Sequence, residues 1–354
     1  MATFDVYKYV TGVHHGGIYG TDTDVDWRAM LKDIQAMLLL FNQAEVAALT
    51  STLTQDTILE TVKQTVGALT MVEGTEAREP DVGGNKEYEF ALPLTDFELG
   101  FALTRKAEQR IAPQKIITLF GSAMQAYLQQ QLKNVFRPIF GKTKCGAEWG
   151  GTWQANTDCP DFQANTFFGS AHSHLFARSA ATLTLAHIRM MVHHIQHHGF
   201  GRPGAVGQKQ IVMLINSAQG DDIKALGDWG VVSGLPESVV ERLSLDGIQA
   251  NQGLDAAYVN MSEMVPEDYV VMLALDPPSP IVHRRIEARP SAQGLVLETP
   301  FENSQFPFRD SNYTCAEGCT VTQPSAVVVL KLGAGGDSSQ SDLTHYTVPD
   351  YYAA

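Results

Sequence analysis

The sequence has no apolar run long enough to cross a bilayer, which takes about 20 residues. The densest run, Ala36 to Phe41 ("AMLLLF"), is far too short. The N-terminus, "MATFDVYKYV", lacks the basic and apolar regions of a secretion signal, so synthesis in the cytoplasm and no membrane partner are expected. Positive charge is scarce. Against 39 Asp and Glu there are 25 Lys and Arg, a formal net charge of −14. Tight binding to nucleic-acid backbones rests on cations that neutralise phosphates, and no Lys/Arg-rich tail supplies them. An acidic surface can lie beside such a polymer without adhering to it. Cysteine is sparse too, with Cys145 and Cys159 in one region and Cys315 and Cys319 in another. The second pair has zinc-ligand spacing, but the first pair stands in a loop-like stretch. Free thiols are the expectation for a cytosolic chain, with a disulfide or a four-thiolate zinc site as alternatives.

Catalytic signatures are also missing. There is no G-x-S-x-G, no P-loop, and no G-x-G-x-x-G between a strand and a helix. "GFGRPG" (Gly199 to Gly204) follows a helical pattern and precedes a strand, the wrong order for holding phosphate, and reads as a helix stop. Carboxylates are plentiful, but no pair is singled out by its context. Such a chain is expected to work through its surface.

What is present is a folding chain: 354 residues, 44% apolar and 18% charged, enough for roughly two domains. The first 24 or so residues read as an extended arm. From Val25 to about Leu49 the apolar residues take a helical period, with Asp24 placed to cap. A second helical piece is expected from Gln55 to Leu69. Between Met71 and Ala102, Pro80 and Gly83-Gly84 interrupt a polar stretch, and alternation follows in "YEFALPLTDFELGFALT". This predicts a projecting excursion of β-hairpin type. Pro113 suits a first helical position and Pro138 a stop. Between them Ile116, Phe120, Met124, Tyr127, Leu128, Leu132 and Val135 mark one face of a helix about 35 Å long. Gly141 to Phe167 shows no period. "KQIVMLINSAQGDD" reads as a buried strand ending in a turn. Further strands are expected in "EDYVVMLALDPPSP", "PIVHRRIEAR", "GLVLETPF" and "SAVVVLKLG". The tail from Gly333 has no core-forming pattern.

Seven of the eleven histidines lie between His172 and His198, where a metal centre is the first thought. A helix over Leu175 to His198 places Ala177, Ala181, Thr184, Ile188, Met191, Val192 and Ile195 on one stripe. His187, His194 and His198 run along its flank, while His193 and His197 lie nearly opposite. The "HHIQHH" cluster is therefore two i,i+4 pairs aimed in different directions, unable to converge on one ion. No Glu completes an HExxH pattern, and His172-Ser-His174 precedes a helix where a metal-dependent hydrolase would need it to end a strand. His197 and His198 also suit a helix C-terminus capped by Gly199. Solvated and partner-facing histidines are expected, with no catalytic, cofactor-binding or metal-binding residue assigned and no cofactor.

The order of elements carries a resemblance. An arm and helix, a projecting hairpin, a long spine helix and an irregular insertion lead into "HHGFGRPGAVGQKQIVMLINSAQGDD", then "PEDYVVMLALDPPSPIVHRRIEAR" and "CTVTQPSAVVVLKLG". This resembles the major capsid protein of tailed double-stranded DNA bacteriophages, with the Hong Kong 97-like fold. The resemblance implies an α+β chain and a non-enzymatic subunit that assembles with copies of itself into the hexamers and pentamers of an icosahedral shell. It implies an arm and helices over 1–70, an extended loop over 71–104, and a peripheral domain over 105–209 with its spine helix at 113–136. An axial domain over 210–275 and strands returning to the peripheral domain over 276–354 complete it. The implied partners are a separate scaffolding protein, a portal, a decoration protein and enclosed double-stranded DNA without specific binding; the implied location is the virion. A short arm is too little for a fused scaffold that is cut away, and Lys86, the one lysine of the projecting segment, is a poor basis for covalent crosslinking. An encapsulin-type shell and, from a different class, a cytosolic metal hydrolase using His172, His174 and one of the helix pairs (His193 with His197, or His194 with His198) are the alternatives.

Overall fold

The computed structural model describes residues 26–50, 54–57, 59, 61–66, 86–92, 94–101, 103–104, 111, 113–141, 174–197, 200–201, 211–226, 229–231, 249–251, 256–260, 264–274, 280–284, 294–300, 302, 307–323, 326–335 and 345–352. Its helices are α1 (Trp27–Thr50), α2 (Pro113–Phe140), α3 (Leu185–His197) and α4 (Gly220–Ala225). Its strands are β1 (Thr54–Thr57), β2 (Thr61–Val66), β3 (Lys86–Ala91), β4 (Thr95–Phe101), β5 (Leu175–Ala177), β6 (Ile211–Ile215) and β7 (Trp229–Val231). They continue with β8 (Gln249–Asn251), β9 (Ala256–Asn260), β10 (Tyr269–Ala274), β11 (Ile281–Arg284), β12 (Val296–Glu298), β13 (Ser311–Val321) and β14 (Val327–Lys331). The chain divides into two compact units, one of residues 1–47, 94–132 and 285–318, the other of 48–93, 133–284 and 319–354.

The first unit forms where the apolar face of α1 meets the first turns of α2. Trp27, Met30, Leu31, Ile34 and Leu38 recur at three- and four-residue steps and pack on Ile116, Phe120, Ala123 and Tyr127. Leu295, Leu297, Phe308, Tyr313 and Cys315 close the same core. Antiparallel β12 and β4 flank β13, with Leu297 opposite Tyr313 and Phe97 opposite Cys315. Asn42 ties α1 to the turn before β12: its amide donates to Leu295 O and its carbonyl accepts from Leu295 N, both at 3.0 Å. Gly294 must stay glycine there. Its φ is +74°, and a Cβ would fall 2.6 Å from the Asn42 side chain.

The second unit is built on a seven-stranded sheet in the order β5-β14-β10-β6-β9-β8-β7. Three of its strands read "IVMLI", "YVVMLA" and "VVVLK", and their apolar residues are buried on both faces, so the runs are continuous where a half-exposed strand would alternate. Ile188, Met191, Val192 and Ile195 of α3 pack in one cluster with Met213, Met272, Val328 and Leu330. "NSAQ" after β6 is a capping box: Ala218 N donates to Asn216 Oδ1 at 3.0 Å and Asn216 N donates to Gln219 Oε1 at 3.1 Å. The Asn216 amide adds a 2.8 Å bond to Val265 O.

Several expectations need correction. The helix expected over Gln55 to Leu69 is two strands. β1 lies parallel to β11, and β2 pairs antiparallel with β3 from Thr61–Ala91 to Val66–Lys86. The segment is rich in Thr and Val, whose branched Cβ favours a pleated surface. α2 does not stop before Pro138 but runs to Phe140 with the proline inside its last turn. Only one carbonyl loses its partner so near the end, while Phe136, Ile139 and Phe140 are fully buried in return. The segment 311–321, not expected as a strand, is the long β13.

The tail also contributes core where none was expected. Tyr346 and Tyr352 are buried, the first donating to Phe140 O at 3.1 Å and the second to Met264 O at 2.6 Å. Phe140 stacks on Tyr352 with centroids 5.0 Å apart and meets Tyr269 edge-on at 5.6 Å. The arm over 1–24, the insertion after Gly141, the tip of the projecting segment, Cys145, Cys159, His172 and His198 lie outside the described residues.

Candidate functional site

The histidine-rich stretch folds differently from one long helix. Leu175–Ala177 is a strand because it finds β14 as a parallel neighbour, with Val329 N donating to His174 O and Arg178 N to Lys331 O, each at 2.9 Å. The helix starts only after Thr184. Thr184 accepts from His187 N and its own N–H donates to His187 Nδ1, both at 3.3 Å, so a histidine takes the place of the usual Glu in a capping box. Asp222 accepts from Leu183 N at 2.9 Å, which sets a carboxylate beside the positive end of α3.

This arrangement separates the histidines. His174 is fully buried and donates from Nδ1 to Val327 O at 2.9 Å, which fixes its tautomer. His194, 3% exposed, packs on Phe176 at 4.7 Å between centroids and meets His174 edge-on at 5.9 Å. Arg178 lies over the other partner of that group, its guanidinium 5.8 Å from the Phe176 ring, and donates to Ala177 O at 2.9 Å. His187 is half-buried at the helix start and His193 faces solvent. Two histidines twenty positions apart thus meet in the core, while the adjacent His193 ring, 6.4 Å from that of His194, lies on the exposed side. Among the described residues, no group of three or more His, Cys, Asp or Glu is placed to hold a metal ion. Elsewhere in the second unit, the buried His283 ring has Nδ1 3.9 Å from the Asp56 carboxylate across the β1–β11 pair.

The first unit holds a buried polar group that the sequence did not announce. Glu317 is 1% exposed on β13 and accepts from Gln131 Nε2 at 3.1 Å; the same amide donates to the Tyr127 oxygen at 2.6 Å. Burial, then the nearby Glu317 and Asp96 carboxylates, push the Cys315 thiol up to about 12. Both Cys315 and the half-buried Cys319 are free thiols. Burial likewise holds the Tyr313, Tyr346 and Tyr352 phenols above their ordinary range. These groups are locked as neutral donors and weak nucleophiles. They are built for packing.

Accessible features lie on the surface. The β2–β3 ribbon pairs with no third strand among the described residues, and a two-stranded ribbon alone is marginal in water. Among the described residues, Leu39, Leu40, Leu59, Leu99 and Tyr351 are the large apolar side chains left exposed. No described helix is long and apolar enough to cross a membrane.

No family model matches this chain, and no curated protein does. Solved structures do. A chain of Mycobacterium phage Patience aligns over 93% of this chain and 93% of its own length, at TM-score 0.60 and 17% identity. The cyanophage A-1(L) capsid asymmetric unit covers 82% of this chain and 92% of its own at TM-score 0.46 and 12% identity. A virus-like particle from Pyrococcus furiosus covers 84% and 98% at TM-score 0.44 and 11% identity. At 17% identity the first likeness speaks to architecture alone. Element order, two separate cores and a likeness spanning nearly the whole of both chains give one conclusion: this is an α+β chain with the Hong Kong 97-like fold.

Proposed function

We propose that this chain is the structural subunit of an icosahedral bacteriophage capsid, a shell protein and not an enzyme. The observation that carries the reading is the fold held in common with a phage chain over 93% of both lengths. Copies assemble into hexamers and pentamers that form the virion shell around packaged double-stranded DNA. A separate scaffolding protein, a portal and a decoration protein are the further partners. The arm of 1–70 with α1, and the loop of 71–104, reach neighbouring subunits. The peripheral domain over 105–209 is organised on α2, the axial domain over 210–275 faces the capsomer centre, and 276–354 returns to the periphery. The surface features support this assignment, because a ribbon with no third strand among the described residues, and exposed leucines, cost a monomer more than they cost a subunit whose neighbours cover them.

Negative-stain microscopy and analytical ultracentrifugation of the purified chain test the reading. Closed particles of megadalton mass are expected. A small oligomer with a hydrolytic activity would instead favour an enzyme. Particles that hold a cargo protein and no DNA in their native host would point to an encapsulin-type compartment.

A further inference from the structure

We propose that the exposed face of α1 on one subunit seats against β4 of a second copy, a head-to-tail contact repeated around each capsomer. The inference rests on the shell reading and deepens it. Among the described residues of the first unit, the exposed large apolar side chains are Leu39 (51%), Leu40 (66%) and Leu99 (45%), confined to α1 and β4. Isolated exposed leucines mean little on their own. What gives these meaning is the charge beside them, which is of opposite sign on the two elements.

On α1 the exposed positions Arg28, Lys32, Ala36 and Leu40 follow at four-residue steps, with Leu39 beside them. They form one stripe, basic toward the helix start and apolar further along. The exposed Asp26 is engaged at the helix N-terminus, accepting from Ala29 N at 3.0 Å. On β4, Phe97 turns into the core while Asp96 and Glu98 are exposed on the opposite face, and Leu99, two residues beyond Phe97, is left exposed. β4 pairs with β13 on one side, and among the described residues no strand lies on the other. Along that edge Asp96, Glu98 and Leu99 are exposed.

The spacings agree. Lys32 and Leu40 stand eight residues apart, about 12 Å along a helix. Asp96 and Leu99 stand three apart, about 10 Å along a strand. A helix laid along the open edge brings Lys32 to the carboxylates as Leu39 and Leu40 reach Leu99. Pairing β4 with β4 would set carboxylate on carboxylate, and pairing α1 with α1 would set cations against cations or against leucine. Setting α1 of one copy against β4 of another pairs cation with carboxylate and apolar with apolar. Such heterologous contacts close into rings when the rotation permits.

The test is a charge swap read by sedimentation at low salt. Lys32→Glu and Asp96→Lys should each lower the fraction of subunits in particles by about tenfold or more, and the double variant should recover to within about twofold of wild type. Circular dichroism identifies any variant that fails to fold. Independently, a chain carrying Leu40→Cys and Leu99→Cys, oxidised in assembled particles, should give a ladder of covalent multimers on a denaturing gel that neither Leu40→Cys alone nor Leu99→Cys alone gives. Normal particles from both single charge variants together with no ladder would overturn the contact while leaving the shell reading intact. Losses that the double variant does not repair, again with no ladder, would also overturn it. Failure of the wild-type chain to form megadalton particles would remove the shell reading and this contact with it.

Discussion

Ile188 shows how much one buried side chain decides. It is 0% exposed and packs among Met213, Met272 and Val328. Ile188→Asp places an unpaired carboxylate there, at a cost of several kcal/mol, and should yield insoluble or unassembled chain by sedimentation. His193, one turn away and exposed, is the control: His193→Gln should leave thermal stability and assembly unchanged within error. Cys315 adds a pH dependence. Its folded-state pKa is raised from 9.0 to about 12, so the unfolded chain releases this proton first as pH rises. The stabilisation is complete below about pH 9 and is lost as pH climbs toward 12. The buried tyrosines act in the same direction at higher pH. The melting temperature should therefore fall through this window, and less steeply in Cys315→Ala. Alkylation at pH 8 should also label Cys319 well before Cys315 in the folded protein.

Among the elements, the β2–β3 ribbon and the turn at Gly294 make opposite predictions. Replacing residues 67–85 with a two-residue Asn-Gly turn keeps the antiparallel register of Val66 with Lys86. The circular dichroism and melting of the subunit should stay close to wild type, while closed shells should be absent by microscopy. Normal shells would show that this connection takes no part in assembly. Asn42→Ala strikes inside a unit. It strips the Leu295 N–H and C=O of their buried partners, for a loss of about 2–4 kcal/mol in chemical denaturation. Gly294→Ala should destabilise as well, since its φ is +74° and the new methyl would press on Asn42.

For the whole molecule, net charge is the governing quantity. If the proposed shell reading holds, −14 per subunit would repel DNA phosphates on average and let a genome pack without adhering. Purified subunits should bind duplex DNA only weakly at physiological salt, and more weakly still as salt rises. Sub-micromolar affinity in a fluorescence-anisotropy titration would contradict this and indicate a basic surface not evident in the composition.

The sequence by itself determined the elements that are satisfied locally. α1 and α2 were legible because a helix closes its own hydrogen bonds within four residues and repeats its buried face at a fixed period. β6, β10 and β14 were legible because "IVMLI", "YVVMLA" and "VVVLK" are too apolar for anything but burial on both faces. The exposed side of α3, with His193 on it, followed from the same wheel. Tertiary structure decided what depends on partners far along the chain. Residues 54–57 are a strand because Ile281–Arg284 lies beside them, and 175–177 because β14 does. β13 tolerates Glu317 in its buried row because Gln131 reaches it from α2. His174 and His194 meet around Phe176 only once β5 and α3 fold against each other. Tyr346 and Tyr352 become core because the Phe140 and Met264 carbonyls accept their hydroxyls. A helix carries its own partners, whereas a strand, a buried polar group or a lone aromatic must find its partner elsewhere, and local sequence does not say where that is.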